Sequence, residues 1–274
     1  MTGIERIAEA FESARASGRR AALMPYLMGG YPDLETSRRI GIEYALGGAD
    51  LVELGVPFSD PLADGPVIHA AGTAALRAGV RLPDVLSAVV RPVAEHVPVV
   101  VMCYANPIVA RGVERFADAL VEHGASGLIV PDLPLEETPA ALRACDERGL
   151  ALVPLVAPTT PDARLARIGA QARGFIYTVS LTGTTGERTG SLQDGLAGVL
   201  SRAAACTTVP VAVGFGISTP EQAAAAAAAG ADGVIVGSRL VRAAGEGAPG
   251  EDPVPAVGAL VRALASGLAG TPVG

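Results

Sequence analysis

No segment of this 274-residue sequence is basic, no apolar run is long enough to span a bilayer, and the cysteines are few and scattered. Each absence excludes something. The formal net charge is −7 and arginines nowhere cluster, so the phosphate neutralisation that nucleic-acid binding depends on has no surface to work from. The longest apolar runs, such as residues 97–105, fall well short of the roughly 20 residues that a helical span needs. The sequence opens without the basic start and apolar core of a secretory signal. The expectation is a soluble, cytoplasmic protein that binds neither membrane nor nucleic acid. Cys103, Cys145 and Cys206 lie far apart with no CxxC or metal-ligand spacing, which fits reduced thiols better than a disulfide framework. His69, His96 and His123 show no paired spacing for a metal. No Gly-x-Gly-x-x-Gly turn follows an early strand, which removes the dinucleotide-binding form of an open parallel sheet.

What is present is a repeated unit. Half the residues are hydrophobic and only 18% are charged, enough apolar material for one large domain covering residues 1–274. Residues 4–17 carry Ile4, Ile7, Ala8 and Phe11 on one stripe and read as an amphipathic leading helix ended by Gly18. Strand-like runs follow at 21–28, 50–55, 97–104, 126–130, 151–156, 174–179, 209–213 and 232–236. Helical segments alternate with them, including 83–95, 112–123, 136–148, 161–171, 192–205, 220–229 and 256–268. Strands that are nearly all apolar and alternate with helices pair in parallel with both faces covered. Eight such units predict an α/β protein of the (β/α)8 TIM-barrel class with an extra N-terminal helix.

Residues 50–66, DLVELGVPFSDPLADGP, are the most informative stretch. Glu53 sits inside a buried-looking strand, where a carboxylate must be paired, protonated or in use. Pairing with a buried cation is the plain alternative, but none of the eight strand-like runs contains Lys or Arg. The three prolines and two aspartates that follow, Pro57, Asp60, Pro61, Asp64 and Pro66, read as a shaped loop at the strand's end. Barrel enzymes work where strands end, and the polar residues in such places are Glu53, Asp64, Tyr104, Asn106, Asp132, Tyr177, Ser180, Thr182, Thr185 and Ser238. Glu53 and Asp64 are two carboxylates in different settings, which is how one site holds an acid and a base. Gly214 and Gly216 follow the seventh strand and Gly237 the eighth, where barrels build a phosphate site from backbone amides and a helix N-terminus. Residues 181–190, rich in Gly and Thr, are either a plain connection or a lid.

Several blocks together resemble one family. Residues 53–66 (ELGVPFSDPLADGP), 102–108 (MCYANPI), 127–134 (GLIVPDLP), 175–183 (FIYTVSLTG), 214–217 (GFGI) and Gly237-Ser238 are similar in order and spacing to the tryptophan synthase alpha chain. The resemblance implies a lyase that splits indole-3-glycerol phosphate into indole and glyceraldehyde 3-phosphate by retro-aldol cleavage. It implies Glu53 as the group that gives and takes the proton, Asp64 as acceptor of the indole N–H, and Tyr177 beside the catalytic acid. On the substrate side it implies Thr185 meeting Asp64, Gly186, Gly216, Gly237 and Ser238 on the phosphate, and Phe215 and Ile68 around the indole, with Tyr104 as a further candidate. No cofactor is implied for this chain. Pyridoxal phosphate belongs to a partner beta chain, joined in an alpha2-beta2 assembly and faced by the loops holding Asp60 and residues 106–108. One departure stands out: where the family pattern is Thr-x-Gly-Asp-Pro, Met28 and Tyr31 replace the Thr and the Asp. A free-standing lyase of secondary metabolism and a non-catalytic phosphate-binding subunit are the alternatives.

Overall fold

The computed structural model describes residues 1–179, 192–214, 216–246 and 250–269. Nine parallel strands form one sheet: β1 (Ala22–Met28), β2 (Val52–Gly55), β3 (Val99–Met102), β4 (Gly127–Ile129), β5 (Ala151–Val153), β6 (Leu155–Val156), β7 (Ile176–Val179), β8 (Val211–Gly214) and β9 (Gly233–Val236). The order runs β5-β4-β3-β2-β1-β9-β8-β7-β6. Its two ends, β5 and β6, are one residue apart, so the sheet closes on itself. The fifth predicted strand is therefore split at Pro154, which has no amide to give the ladder and whose carbonyl accepts the Tyr177 N–H at 2.9 Å. Eight barrel positions and nine hydrogen-bonded segments are the same architecture.

Strand alternation separates two cores. On β2, Val52 and Leu54 join the outer layer between strands and helices, while Leu51 faces the barrel interior. Side chains alternate across a strand, so Glu53 faces inward too. On β1, Leu23 and Leu27 point outward, whereas Ala22 and Met24 fill the lower interior and Tyr26 and Met28 lie above them. The lower interior is closed by the leading helix, Gly3–Ala16, whose Thr2 and Glu5 form a reciprocal capping box. Its Ile7 and Phe11 pack among Met24, Leu51, Ile129 and Phe175, with Phe11 and Phe175 ring centroids 5.9 Å apart. Ala14 completes the buried stripe, and the predicted Ala8 is exposed instead. Arg6 fastens the helix by donating to the carbonyls of Ala94 and Gly124 at 2.6 and 3.1 Å.

Several predicted segments have different bounds. The strand expected at 97–104 ends at Met102, and Tyr104 caps a short helix, Ala105–Arg111. Helices Pro66–Arg77 and Ser238–Gly245 occupy places where no helix is named above. The predicted helix 83–95 contains a π-helical stretch, Leu86–Val90. Pro92 follows it and lacks the N–H that an α-helical ladder would use.

With one end of the barrel plugged, the open end is where the strands terminate. Truncating the plug should cost stability: Phe11→Ala is expected to lower the unfolding free energy by about 3–5 kcal/mol, read as a shift of the denaturant midpoint at unchanged slope.

Candidate active site

Glu53 is 2% exposed, and neither carboxyl oxygen has a hydrogen-bond partner among the described residues. Among the described residues no cation pairs with it. A lone carboxylate in such a place is strongly disfavoured, and burial, reinforced by the negative charge of Asp64, pushes the Glu53 carboxyl up to about 8. At neutral pH the group keeps its proton. It is bracketed by strand neighbours Tyr26 on β1 and Val100 on β3.

Two buried tyrosines share this interior. Tyr26 is in direct register with Glu53, and its hydroxyl lies over Gly55, where any Cβ would collide with it. Tyr177 on β7 does the same over Gly214 on the adjacent β8. Each glycine is required for a close approach. Burial comes first, and the nearby acids add to it, in holding both phenols well above their ordinary range, so both remain proton donors. Tyr177 is among the predicted site residues; Tyr26 is not. Its signal was available: a polar-tipped residue at an inward position of β1, within a strand otherwise free of polar side chains.

Asp64 is held differently. The loop after β2 carries Phe58, stacked on Tyr104 with centroids 5.1 Å apart and planes 25° apart. The Tyr104 hydroxyl donates to Asp64 Oδ1 at 3.0 Å and accepts the Ala63 N–H at 3.0 Å. Burial raises the Asp64 carboxyl, while the Tyr104 hydrogen bond and the neighbouring His69 pull it back. Asp64 has a donor and is half-buried where Glu53 has no donor and no exposure, so Asp64 is the more readily ionised of the pair. Asp132, also singled out from the sequence, is occupied in capping: it accepts the Ala105 N–H at 2.8 Å.

The glycine motifs lie on the same end of the barrel. Gly216 adopts a left-handed φ of +52°. Gly237 stands before helix Ser238–Gly245 and accepts from the Leu240 and Val241 amides at 2.9 and 3.1 Å, while Ser238 is exposed in the first turn, where helix amides lack internal acceptors. Gly237 approaches the Tyr26 side chain. Ile68 and Met102 pack against Tyr26, Met28 and Val241 in one apolar cluster. The structure thus brings Glu53, Tyr26, Tyr177, Asp64, Tyr104, Ile68 and Gly237 to one end. Thr185, Gly186 and Phe215, with Ser180 and Thr182, lie outside the described residues.

Among the described residues no second chemical site competes. Among the described residues no group of three His, Cys, Asp or Glu could hold a metal, and no helix is long and apolar enough to cross a membrane. The three cysteines are free, and burial pushes the Cys103 and Cys145 thiols up to about 12. A cavity of about 180 Å3 beside β4–β6 is lined mainly by apolar residues; its one cation, Arg164, is paired with Glu136 at 2.8 Å.

Comparison with known proteins agrees with this arrangement. The family model described as "Tryptophan synthase alpha chain" matches residues 11–263. The tryptophan synthase alpha chain of Synechococcus elongatus is 52% identical over 237 residues, 86% of this chain and 88% of that one. That of Synechocystis is 49% identical over 245 residues, 88% and 91% of the two chains. Among solved structures, Mycobacterium tuberculosis tryptophan synthase aligns with a TM-score of 0.87 at 42% identity, covering 96% of this chain and 98% of that one. The alpha subunit from Legionella pneumophila aligns with a TM-score of 0.86 at 37% identity, again covering 96% and 98%. A closed parallel barrel, an unpaired acid in its interior and these relatives over nearly the whole length lead to one assignment: the chain belongs to the tryptophan synthase alpha chain family.

Proposed function

We propose that this chain, acting as a single barrel domain, is a carbon–carbon lyase that cleaves indole-3-glycerol phosphate to indole and glyceraldehyde 3-phosphate. The observation that carries the reading is the buried, unpartnered and protonated Glu53 at the inner end of the site. Glu53 delivers its proton to indole C3, which turns the ring into an electron sink. The resulting carboxylate takes the proton of the side-chain hydroxyl as the bond between indole C3 and the adjacent carbon breaks, leaving an aldehyde and neutral indole. The proton balance closes on one residue. Asp64, oriented by Tyr104, accepts the indole N–H and offsets positive charge on the ring. Tyr177 donates toward the Glu53 carboxylate once it has formed. The chain has no lysine at all, so carbon–carbon cleavage through an amine adduct has no nucleophile here, and proton transfer remains.

The remaining roles follow the family pattern. Gly186, Gly216, Gly237 and Ser238 hold the phosphate on backbone amides and the helix N-terminus, Ile68 and Phe215 flank the indole, and Thr185 meets Asp64. The chain itself uses no cofactor. Its partner is a cytoplasmic beta chain carrying pyridoxal phosphate, in an alpha2-beta2 assembly. The partner-facing segments are the loop holding Asp60 and, where the sequence suggested a loop, the short helix Ala105–Arg111 that carries residues 106–108; Leu62 is 94% and Val109 68% exposed there.

Indole release from indole-3-glycerol phosphate tests the reading directly. Wild-type release should be slow alone and rise sharply with a beta chain, and Glu53→Gln should lower it by roughly 10²–10⁴-fold; a Glu53→Gln enzyme near full rate would remove the proton-transfer role. Asp64→Asn should lose cleavage while still binding glyceraldehyde 3-phosphate, as calorimetry would show.

A pH series supplies an independent check. The folded-state Glu53 carboxyl lies near 8, above the ordinary glutamate value of about 4.3. Between those values the folded protein keeps a proton that the unfolded chain has released, so this group's contribution to stability falls as pH rises through the window. Glu53→Gln should therefore gain stability relative to wild type from about pH 5 to pH 8, and wild-type turnover should decline above pH 8 as the acid form is lost.

A further inference from the structure

Tyr31, which departs from the family's Asp, has a defined place. β1 ends at Met28, whose carbonyl accepts the Tyr31 N–H at 3.1 Å. Gly30 takes a left-handed φ of +80° in this turn, and its N–H donates to the fully buried Ser37 hydroxyl at 3.1 Å. The anchored turn sends the Tyr31 ring, half-buried, into the groove between helices Pro66–Arg77 and Ser238–Gly245. Pro66, Val67 and Ala70 line one side of that groove, and Val241 and Gly245 the other. The Tyr31 hydroxyl rests against Gly245, where any Cβ would overlap it.

These two helices are the ones that matter to the site. The first begins two residues after Asp64, and the second begins directly after Gly237. Alanines dominate the facing side of the first helix at Ala70, Ala71 and Ala74; the two helices meet through Ala71 and Val241 in one apolar cluster, and Tyr31 packs against that same cluster. An aspartate at position 31 would be too short to reach Gly245 as the Tyr31 hydroxyl does.

We propose that Tyr31 is a positioning residue, a spacer that fixes the separation between the Asp64 end of the site and its phosphate end. It touches both helices and not the substrate. The inference rests on the assignment of phosphate to Gly237 and Ser238. A substrate gripped at both ends is sensitive to that separation, so losing the spacer weakens substrate holding.

The test is steady-state cleavage of indole-3-glycerol phosphate by the full-length chain with a tryptophan synthase beta chain present, with thermal melting run on each variant. Tyr31→Ala should raise KM about fivefold with kcat within about twofold, and Tyr31→Phe should restore KM. Gly245→Ala should raise KM in the wild-type background and much less in Tyr31→Phe, because the overlap is chiefly with the hydroxyl; this double-mutant coupling is measurable even if Tyr31→Ala folds poorly. An unchanged KM in Tyr31→Ala, a loss confined to kcat, or strict additivity of Gly245→Ala and Tyr31→Phe would overturn the spacer role while leaving the lyase reading intact. Wild-type protein that releases no indole would overturn the lyase reading itself, and the spacer role with it.

Discussion

Everything in this structure follows from placing one carboxyl group where water cannot reach it and giving it no partner. An ionised Glu53 in that position is costly, so at neutral pH the fold favours the residue in its neutral form. Keeping it neutral needs a dry barrel interior. The interior is dry because the outer helices cover the sheet, the leading helix fills the lower end, and tyrosines rather than charged groups stand next to the acid. Native proteins rarely leave buried polar atoms unpaired. Among the described residues the Ser126 and Thr178 hydroxyls share that condition, but Glu53 is the only ionisable group left so, a local loss of stability of the kind that functional sites retain.

The second carboxylate shows the opposite treatment. Asp64 sits in a loop, has a tyrosine donor and is only half-buried. Two acids within one site are thus separated in proton affinity by surroundings alone, the arrangement by which acid and base tasks are divided near neutral pH. Tyr104 links the two settings. Its ring is stacked on Phe58 and its hydroxyl bridges Asp64 and the Ala63 amide, so the loop after β2 is tied to the end of β3 rather than left to wander.

Much of this was legible in the sequence, for identifiable reasons. The barrel could be read because parallel strands buried on both faces leave near-continuous apolar runs. Glu53 could be read because a single acid inside such a run contrasts with everything around it. Helix Pro66–Arg77 was hidden because the proline-rich loop runs straight into it, with Pro66 serving as a helix start rather than a loop residue. The break at Pro154 was hidden because a proline within an apolar run does not change its composition. Tyr26 escaped notice because a tyrosine in a strand is ordinary β-forming sequence, and only the register with Glu53 distinguishes it. Tyr31 could be marked only through the resemblance, and its partner Gly245 lies more than two hundred residues away, with no local pattern to connect them.

The plug helix has a consequence for how the protein is made. Its buried residues Ile7 and Phe11 find their partners on β4 and just before β7, and Arg15 pairs with Asp232 at 2.9 Å, near the last strand. This helix, synthesised before any of those strands, therefore cannot dock until most of the barrel has left the ribosome. For the whole of that interval an apolar stripe waits in solvent, the circumstance in which nascent chains associate wrongly. The residues that seal the finished barrel are also those most in need of protection while it is being built.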